Sequence, residues 1–271
     1  MVALVTGAAR SYGRAIALTL ARQRPVVLLD APAPYTSLAY PLSTDDDLRS
    51  VADEIVANGG DALALPTDVR DLRAVQAAVD RAHAAFGAIT TLVVCAGVVS
   101  AAQVARMTRA EWDEVLDTNL TGAFHVTRAV VPEMVAAGSG RVVFVTGPEA
   151  RRGFASLSHV AAASWALIGM AKTVALEVAP SGVSVNMVCA SPPDSLPLTS
   201  LPELQTAVGA TGPQVGAPPW EQIAAVYPQG RPFVEPQEVA AAVEFLLTDS
   251  AASWTGGVID ISMGTAARNS A

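Results

Sequence analysis

The segment Val2–Gly13 reads VALVTGAARSYG and carries the strongest fold signal in the chain. Its first residues, Val2–Val5, are continuously apolar, which predicts a short strand buried on both faces. The turn that follows contains two glycines and opens an apolar helix, so backbone N–H groups there can meet a pyrophosphate. The segment therefore predicts a dinucleotide-binding turn, whose contact residues are Gly7, Arg10, Ser11, Tyr12 and Gly13.

A carboxylate closes the next predicted strand. Val26–Leu29 is again continuously apolar, and Asp30 follows it directly. A carboxylate at this place accepts hydrogen bonds from the 2′-hydroxyl of an adenosine ribose and repels a 2′-phosphate. The alternative is that Asp30 is a solvated acid at the start of a loop. Together with the glycine turn, Asp30 predicts NAD as the cofactor, in preference to NADP.

Strand and helix patterns alternate along the chain. Apolar runs predict strands at Val2–Val5, Val26–Leu29, Ala62–Leu65, Thr91–Val94, Arg141–Val145, Val183–Val188 and Val258–Ile261. Helical patterns lie near Gly13–Arg22, Asp46–Ala57, Leu72–Phe86, Arg109–Ala137, Leu157–Val178 and Gln237–Thr248. Such alternation is typical of right-handed βαβ units. We therefore predict an α/β fold in a single domain, residues 1–271, with a doubly wound parallel sheet of seven strands.

Two segments interrupt this alternation. Residues 31–44 are too long for an ordinary connection between a strand and a helix. Residues 190–231 contain eight prolines and predict an irregular, proline-rich lid. Long loops at the carboxyl ends of parallel strands border the ligand crevice in folds of this kind.

The bulk composition narrows the partners and the compartment. A net charge of -8 and a pI near 4.8 argue against nucleic acid or an anionic membrane as a partner. No apolar run reaches the roughly 18–20 residues that span a bilayer, so we expect a cytoplasmic protein. Cys95 and Cys189 are too few for a disulfide framework or a zinc site. We predict free thiols and no metal.

Several further motifs give the chain a family resemblance. TDVRD at Thr67–Asp71, DTNLTGAFH at Asp117–His125 and VEP at Val234–Pro236 resemble the short-chain dehydrogenase/reductase family, and the likeness extends over essentially the whole chain. The loop APAPYTSLAYPLSTDDDL, Ala31–Leu48, resembles the actinobacterial subgroup that includes carveol-type and mycofactocin-associated dehydrogenases. The resemblance implies a Rossmann fold, a homotetramer or homodimer, and NAD lying across the strand ends.

The resemblance also implies roles for individual residues. Asp68 and Val69 would flank the adenine, although a helix cap near Leu72 is an alternative role for Asp68. Asn119 would order a water in a proton relay, or would only bridge a break in its helix. Cys95, Ala96 and Gly97 stand where the family has the end of an NNAG motif, beside the ribose.

The chain departs from the family pattern around this ligand. A glycine of the family's TGxxxGxG motif is Ser11 here, where a side chain crowds the phosphates or strains the backbone. Tyr12 replaces a small aliphatic residue, and Cys95 replaces an asparagine. The family's PG and DGG motifs become Ala190-Ser191 and Ser262-Met263-Gly264.

The departures include the catalytic triad. Aligning WALIGMAK, Trp165–Lys172, with the family helix places the YxxxK positions at Val160 and Ser164, and the upstream serine at Gly147. In the family the tyrosine exchanges a proton with the substrate, the lysine lowers its pKa, and the serine orients the substrate oxygen. Oxidation of an alcohol needs a group that takes its proton. The sequence therefore predicts that the ordinary dehydrogenase mechanism is absent.

Other side chains near these positions are candidates for acid or base chemistry. Glu149 is either a partly buried carboxylate that moves a proton or a solvated acid beside Arg151 and Arg152. His159 is either a base that works near neutral pH or a residue turned away from the site. The hydroxyls of Thr146 and Ser158 either orient a carbonyl or are structural. With Asn119, these form the predicted catalytic set.

Three functions are consistent with this pattern. The first is an enzyme that no longer transfers hydride and promotes cyclisation, elimination or isomerisation of a small hydrophobic metabolite, as in natural-product pathways. The second is an NAD-dependent oxidoreductase with Glu149 or His159 as an unusual acid or base. The third is a non-catalytic partner of an intact paralogue. The missing triad favours the first.

Overall fold

A computed structural model describes residues 1–31, 35–191, 227–231 and 233–268. Most of the predicted proline-rich lid, residues 192–226, lies outside the described residues. Within the described part, the fold is a single α/β unit built on one parallel sheet of seven strands. The predicted fold class is confirmed.

The sheet has the strand order β3-β2-β1-β4-β5-β6-β7. Its strands are β1 Val2–Thr6, β2 Val26–Asp30, β3 Ala62–Pro66, β4 Ile89–Val94, β5 Gly140–Thr146, β6 Val183–Ala190 and β7 Val258–Ile261. The order reverses between β1 and β4, and the crevice at such a reversal is where ligands bind in open parallel sheets. All residues of β1 and β6 are buried, as expected for parallel strands that are covered by helices on both faces. The buried residues of β6 include the polar Ser184 and Asn186.

The helices cover both faces of the sheet. They are α1 Ser11–Leu20, α2 Asp45–Ala57, α3 Leu72–Phe86, α4 Arg109–Leu116, α5 Ala123–Ala137, α6 Ser158–Val178 and α7 Pro236–Leu246. The buried residues of α3, α5 and α6 form one core layer. Those of α1, α2 and α7 form a second layer on the opposite face. This sandwich leaves the carboxyl ends of the strands as the open edge where side chains from many elements meet.

The predicted helix Arg109–Ala137 is interrupted. α4 and α5 are joined by a π-helical turn, Asp117–Gly122, a wider turn that is often found at functional sites. Within it, Asn119 accepts a hydrogen bond from the N–H of Val98 (2.8 Å) and donates one to the Val98 carbonyl (2.9 Å). The side chain thereby ties the turn to the segment that follows β4. An apolar periodicity cannot reveal such an interruption, because both halves keep their buried faces.

The segment Ser158–Ser181, which includes α6, is long and apolar enough to cross a membrane by length and composition alone. Here it packs as a core helix, with Leu167, Ala171 and Ala175 buried in the layer against the sheet. That packing accounts for the apolar residues on its buried face, whereas Trp165 and Leu176 on the same helix are exposed.

Candidate active site

The glycine turn after β1 packs tightly against β4. A β-carbon at Gly7 would lie 2.9 Å from the backbone nitrogen of Ala96, and one at Gly13 would lie 2.7 Å from the carbonyl carbon of Gly7. Gly7 also has a φ of +66°, a conformation that glycine adopts without steric cost. Only glycine therefore lets the turn and the first residues of α1 come this close together. The turn borders a cavity of about 300 Å³ at the carboxyl ends of the strands.

Asp30 is fixed at the end of β2 and faces the same cavity. Its carboxylate accepts hydrogen bonds from the backbone N–H groups of Ala9 (2.9 Å) and Ala31 (2.8 Å). Burial raises the pKa of Asp30, although these two hydrogen bonds oppose the shift. A carboxylate has about four lone-pair positions, so Asp30 keeps acceptor capacity for a ligand.

Nearly all predicted cofactor residues lie on the cavity wall. The wall includes Gly7, Arg10, Ser11, Tyr12, Gly13, Asp30, Val69, Cys95, Ala96 and Gly97. Both cysteines are free. Burial raises the pKa of Cys95 to about 12, which disfavours the thiolate form that a nucleophile needs.

Asp68 is the exception among them. It does not line the described part of the cavity, and its carboxylate is held by the guanidinium of Arg70, with Oδ2 2.6 Å from Nη2. The alternative role as a helix cap is also not what the structure shows, because Asp71 caps α3 through the N–H groups of Arg73 and Ala74.

Tyr12 stands on the cavity wall with its hydroxyl already engaged. The phenol donates a hydrogen bond to the carbonyl of Ser191, just after β6. Burial is the main cause that raises the pKa of this phenol. Tyr12 is therefore held neutral and acts as a fixed wall between α1 and β6.

Residues 35–44, which we call the strap, border the cavity. Tyr35, Tyr40 and Leu42 line it. Glu114 of α4 accepts hydrogen bonds from the N–H and hydroxyl groups of Thr36 and Ser37. The tyrosine hydroxyls also bind back to the fold, that of Tyr35 to Thr118 and that of Tyr40 to the N–H of Val99. The sequence signalled this loop by its unusual length and by its family resemblance, but these individual contact residues were missed.

Glu149 lies at the other end of the cavity, directly beside Gly147. A β-carbon at Gly147 would lie 2.5 Å from Oε1 and 2.7 Å from Cδ of Glu149. The Glu149 carboxylate thus occupies the space into which a side chain at residue 147 would project. Burial raises the pKa of Glu149, although hydrogen bonds from the backbone and from Ser164 oppose the shift.

Two hydroxyl groups lead to this carboxylate. Thr146, at the end of β5, donates a hydrogen bond to the hydroxyl of Ser164 (3.0 Å). Ser164, buried on α6, donates in turn to Oε1 of Glu149 (3.2 Å). Thr146 was among the predicted site residues, whereas Ser164 was seen only as the place of a missing lysine. Its signal was its position on the helix face that carries Val160, one turn earlier.

His159 and Ser158 are not part of the cavity wall that the structure describes. His159 is completely buried, and its Nε2 lies 2.7 Å from the hydroxyl of Ser100. Adjacent residues on a helix differ by about 100° in direction, so the helix that turns Val160 to the cavity turns His159 elsewhere. Ser158 is exposed at the first residue of α6. Of the predicted catalytic set, Asn119, Thr146 and Glu149 share the cavity.

Comparison with known proteins gives a consistent result. A family model described as "short chain dehydrogenase" matches residues 1–197. The chain is 32% identical to (-)-trans-carveol dehydrogenase of Rhodococcus erythropolis, over 97% of this chain and 96% of that protein. It is 31% identical to the 3-oxoacyl-(acyl-carrier-protein) reductase FabG of Escherichia coli K12, with 97% and 96% covered.

A solved structure agrees with these sequences. The structure of carveol dehydrogenase from Mycobacterium avium in complex with NAD superimposes with a TM-score of 0.88 at 27% identity, over 97% of this chain and 96% of that one.

The relatives correct the interpretation of the chain as a non-redox cyclase, lyase or isomerase. That interpretation is wrong, because the relatives that match over nearly the full length are named dehydrogenases and reductases. The inference went from a missing tyrosine and lysine to a missing proton acceptor. Glu149, which the sequence offered as an unusual acid or base for an NAD-dependent oxidoreductase, lies on the cavity wall, and the relatives favour that second interpretation. Because the family model matches residues 1–197 and relatives that are at least 30% identical cover 97% of the chain, the chain belongs to the short chain dehydrogenase family.

Proposed function

We propose that the protein is an NAD-dependent oxidoreductase that interconverts an alcohol and a carbonyl on a small hydrophobic metabolite, with Glu149 exchanging the proton. The single observation that carries the proposal is the cavity itself. It borders both the glycine turn with Asp30 and the carboxylate of Glu149, so one bound dinucleotide can reach a substrate held beside Glu149.

The residues at the nucleotide end fit NAD by their chemistry. The backbone of the turn is exposed to the cavity between Gly7 and Gly13 and opens α1, whose N-terminus favours phosphate. The Asp30 carboxylate favours a ribose 2′-hydroxyl over a 2′-phosphate. Bound there, NAD supplies the acceptor for a hydride from the substrate carbon.

The residues at the other end of the cavity supply orientation and proton transfer. Oε1 or Oε2 of Glu149 accepts the proton of a substrate hydroxyl, and burial makes the carboxylate a stronger base than it is in water. Apolar side chains from Val98, Val99, Leu157 and Val160 form the wall around it. They exclude water and select a hydrophobic substrate.

The test is turnover with NAD and a panel of hydrophobic secondary alcohols, followed by the absorbance of the reduced nicotinamide. We expect Glu149→Gln to lower kcat by about 100-fold or more, the usual contribution of one acid–base group. Glu177→Gln, on the exposed side of α6, is the matched control and should keep the wild-type rate. A Glu149→Gln enzyme that turns over as fast as wild type would show that another group moves the proton.

We also propose that the protein is a homo-oligomer of the carveol dehydrogenase-like subgroup. The support is the resemblance of the loop after β2 and a set of exposed apolar side chains on α5 and α6, namely Phe124, Trp165 and Leu176. Sedimentation of the purified protein should give a mass of two or four chains. Trp165→Glu with Leu176→Glu should shift it toward the monomer, while a wild-type monomer would refute the proposal.

A further inference from the structure

The carboxylate of Glu149 is held by its surroundings on two sides. On one side, Ser164 donates to Oε1, and Thr146 donates to Ser164, so both hydroxyl protons point toward the carboxylate. On the other side, the carboxylate packs against Gly147 at distances that leave no room for a β-carbon. Thr146, Gly147 and Glu149 line the cavity, whereas Ser164 lies behind them.

The orientation of the two hydroxyl groups has an electrostatic consequence. Hydrogen bonds that point to an ionised carboxylate are stronger than bonds between neutral groups. A chain of two aligned hydroxyls therefore stabilises the ionised form and fixes its position, against the cost of burial. This is the form that accepts a proton from an alcohol.

Gly147 is needed here for space and not for its backbone. Its φ of -91° and ψ of -179° are extended values that any residue adopts. A methyl group at this position would therefore act only through its contact with Glu149. The contact falls below 3.0 Å, a separation that real β-carbons essentially never show, so the end of the Glu149 side chain would have to move to make room.

We propose that Ser164, aligned by Thr146, is a positioning residue for Glu149. Gly147, which has no side chain, leaves the space that the Glu149 carboxylate occupies. The four residues therefore act as one interdependent unit. The inference rests on the proposed function for the role of Glu149 as the proton acceptor. The residues at the three family positions thereby receive roles beside Glu149. Gly147, at the serine position, provides space, and Ser164, at the lysine position, provides a hydrogen bond. Val160, at the tyrosine position, provides an apolar wall.

The first experiment measures the ionisation of Glu149 directly. Glutamate is labelled with ¹³C at its carboxyl group, and the Glu149 signal is assigned by its loss in Glu149→Gln. Ser164→Ala removes a hydrogen bond to the ionised form, so the pKa of Glu149 should move upward. Ser164→Thr keeps a hydroxyl and should restore the wild-type titration. An unchanged titration in Ser164→Ala would overturn the positioning role.

The second experiment is a double-mutant cycle on the free energy of unfolding. Gly147→Ala should destabilise the wild-type chain, because the methyl group displaces the carboxylate. In the Glu149→Ala background the same change should be neutral or stabilising, because the space is then free. Equal effects of Gly147→Ala in the two backgrounds would overturn the proposed gap.

Kinetics separate this inference from the proposed function. In an active enzyme, Ser164→Ala should lower kcat at neutral pH by about tenfold, as for loss of one hydrogen bond to a charged group. The acid limb of the pH–rate profile should move to higher pH, and KM should change little. Absence of NAD-dependent turnover in the wild-type protein would refute the proposed function, while the titration and the unfolding cycle would still decide whether the four residues act together.

Discussion

Ser11 begins α1 with a φ of +51°, a left-handed conformation that L-residues adopt at a cost of roughly 1–2 kcal/mol. The family pattern has glycine here, and the sequence indicated that a side chain would crowd the phosphates or strain the backbone. The structure shows the second of these. The turn thus has a left-handed residue at a position where glycine would carry no such cost.

Ser11→Gly should therefore raise the free energy of unfolding by a few tenths to about 1 kcal/mol, because relief of the left-handed strain outweighs the extra entropy of glycine in the unfolded chain. The measurement is urea denaturation. Ser50→Gly, at an exposed position inside α2, is the matched control and should destabilise by about 0.5–1 kcal/mol. If the two variants are destabilised alike, Ser11 carries no strain.

Single residues of the site were predictable to different extents. The glycines and Asp30 follow from a local motif, and the structure places them on the cavity. Glu149 and His159 could not be separated from the sequence, because their orientation depends on how a short turn and the first turn of α6 pack. Ser164 was missed because a serine on a buried helix face has many uses, and only its partners Thr146 and Glu149 reveal this one.

Among the elements, the strap and α4 depend on each other. Glu114 satisfies two backbone N–H groups and two hydroxyls of the strap. Burial opposes its ionisation, but the hydrogen bonds from Ser37 and Thr36 prevail and lower the pKa of Glu114. The strap therefore stays attached at pH values where a free glutamate is already partly protonated.

Glu114→Gln should loosen the strap, because an amide offers one acceptor oxygen where the carboxylate offers two. We expect the affinity for NAD to fall by about tenfold or more, in line with charge-assisted hydrogen bonds of roughly 1.5–3 kcal/mol. Chymotrypsin should also cleave faster after Tyr35.

The control for this change is Glu111→Gln, on the same helix, which removes a cap contact to Thr108 but leaves the strap untouched. Titration calorimetry with NAD and the time course of proteolysis give the two readouts. Equal behaviour of both variants would mean that Glu114 does not hold the strap.

The elements themselves were largely predictable. The continuous apolar strands and the amphipathic helix Leu72–Phe86 appear where their periodicity placed them. β4 begins earlier than expected, at Ile89, because strand pairing with β1 recruits residues whose own pattern is weak. The π-helical turn at Asp117–Gly122 was not predictable, since it depends on the side chain of Asn119 meeting the backbone of Val98.

For the whole molecule, the buried His159 sets a limit on acid stability. The ring is fully enclosed beside Ser100, and burial lowers its pKa below the ordinary value of about 6.5. The unfolded chain therefore binds a proton that the folded chain excludes, so stability falls as the pH drops below about 6.5. Glu149, Asp30 and Asp260 act in the opposite sense, because burial raises the pKa of each of them.

The free energy of unfolding of the wild-type chain should accordingly decrease as the pH falls from about one unit above to about one unit below 6.5. His159 should contribute at most about 1.4 kcal/mol per pH unit to this decrease. His159→Gln removes the titrating ring and should flatten that slope, even if it lowers stability at pH values above about 7. The measurement is urea denaturation at a series of pH values, with NMR titration of the ring as a direct check. An equally steep slope in the variant would assign the acid sensitivity to another group.

The packing of Glu149 against Gly147 also constrains how this sequence can change over generations. A serine at 147 forces the carboxylate of Glu149 to move, so this substitution is tolerated more readily after position 149 has become small than before. The effect of a substitution at either of these two positions therefore depends on which residue occupies the other.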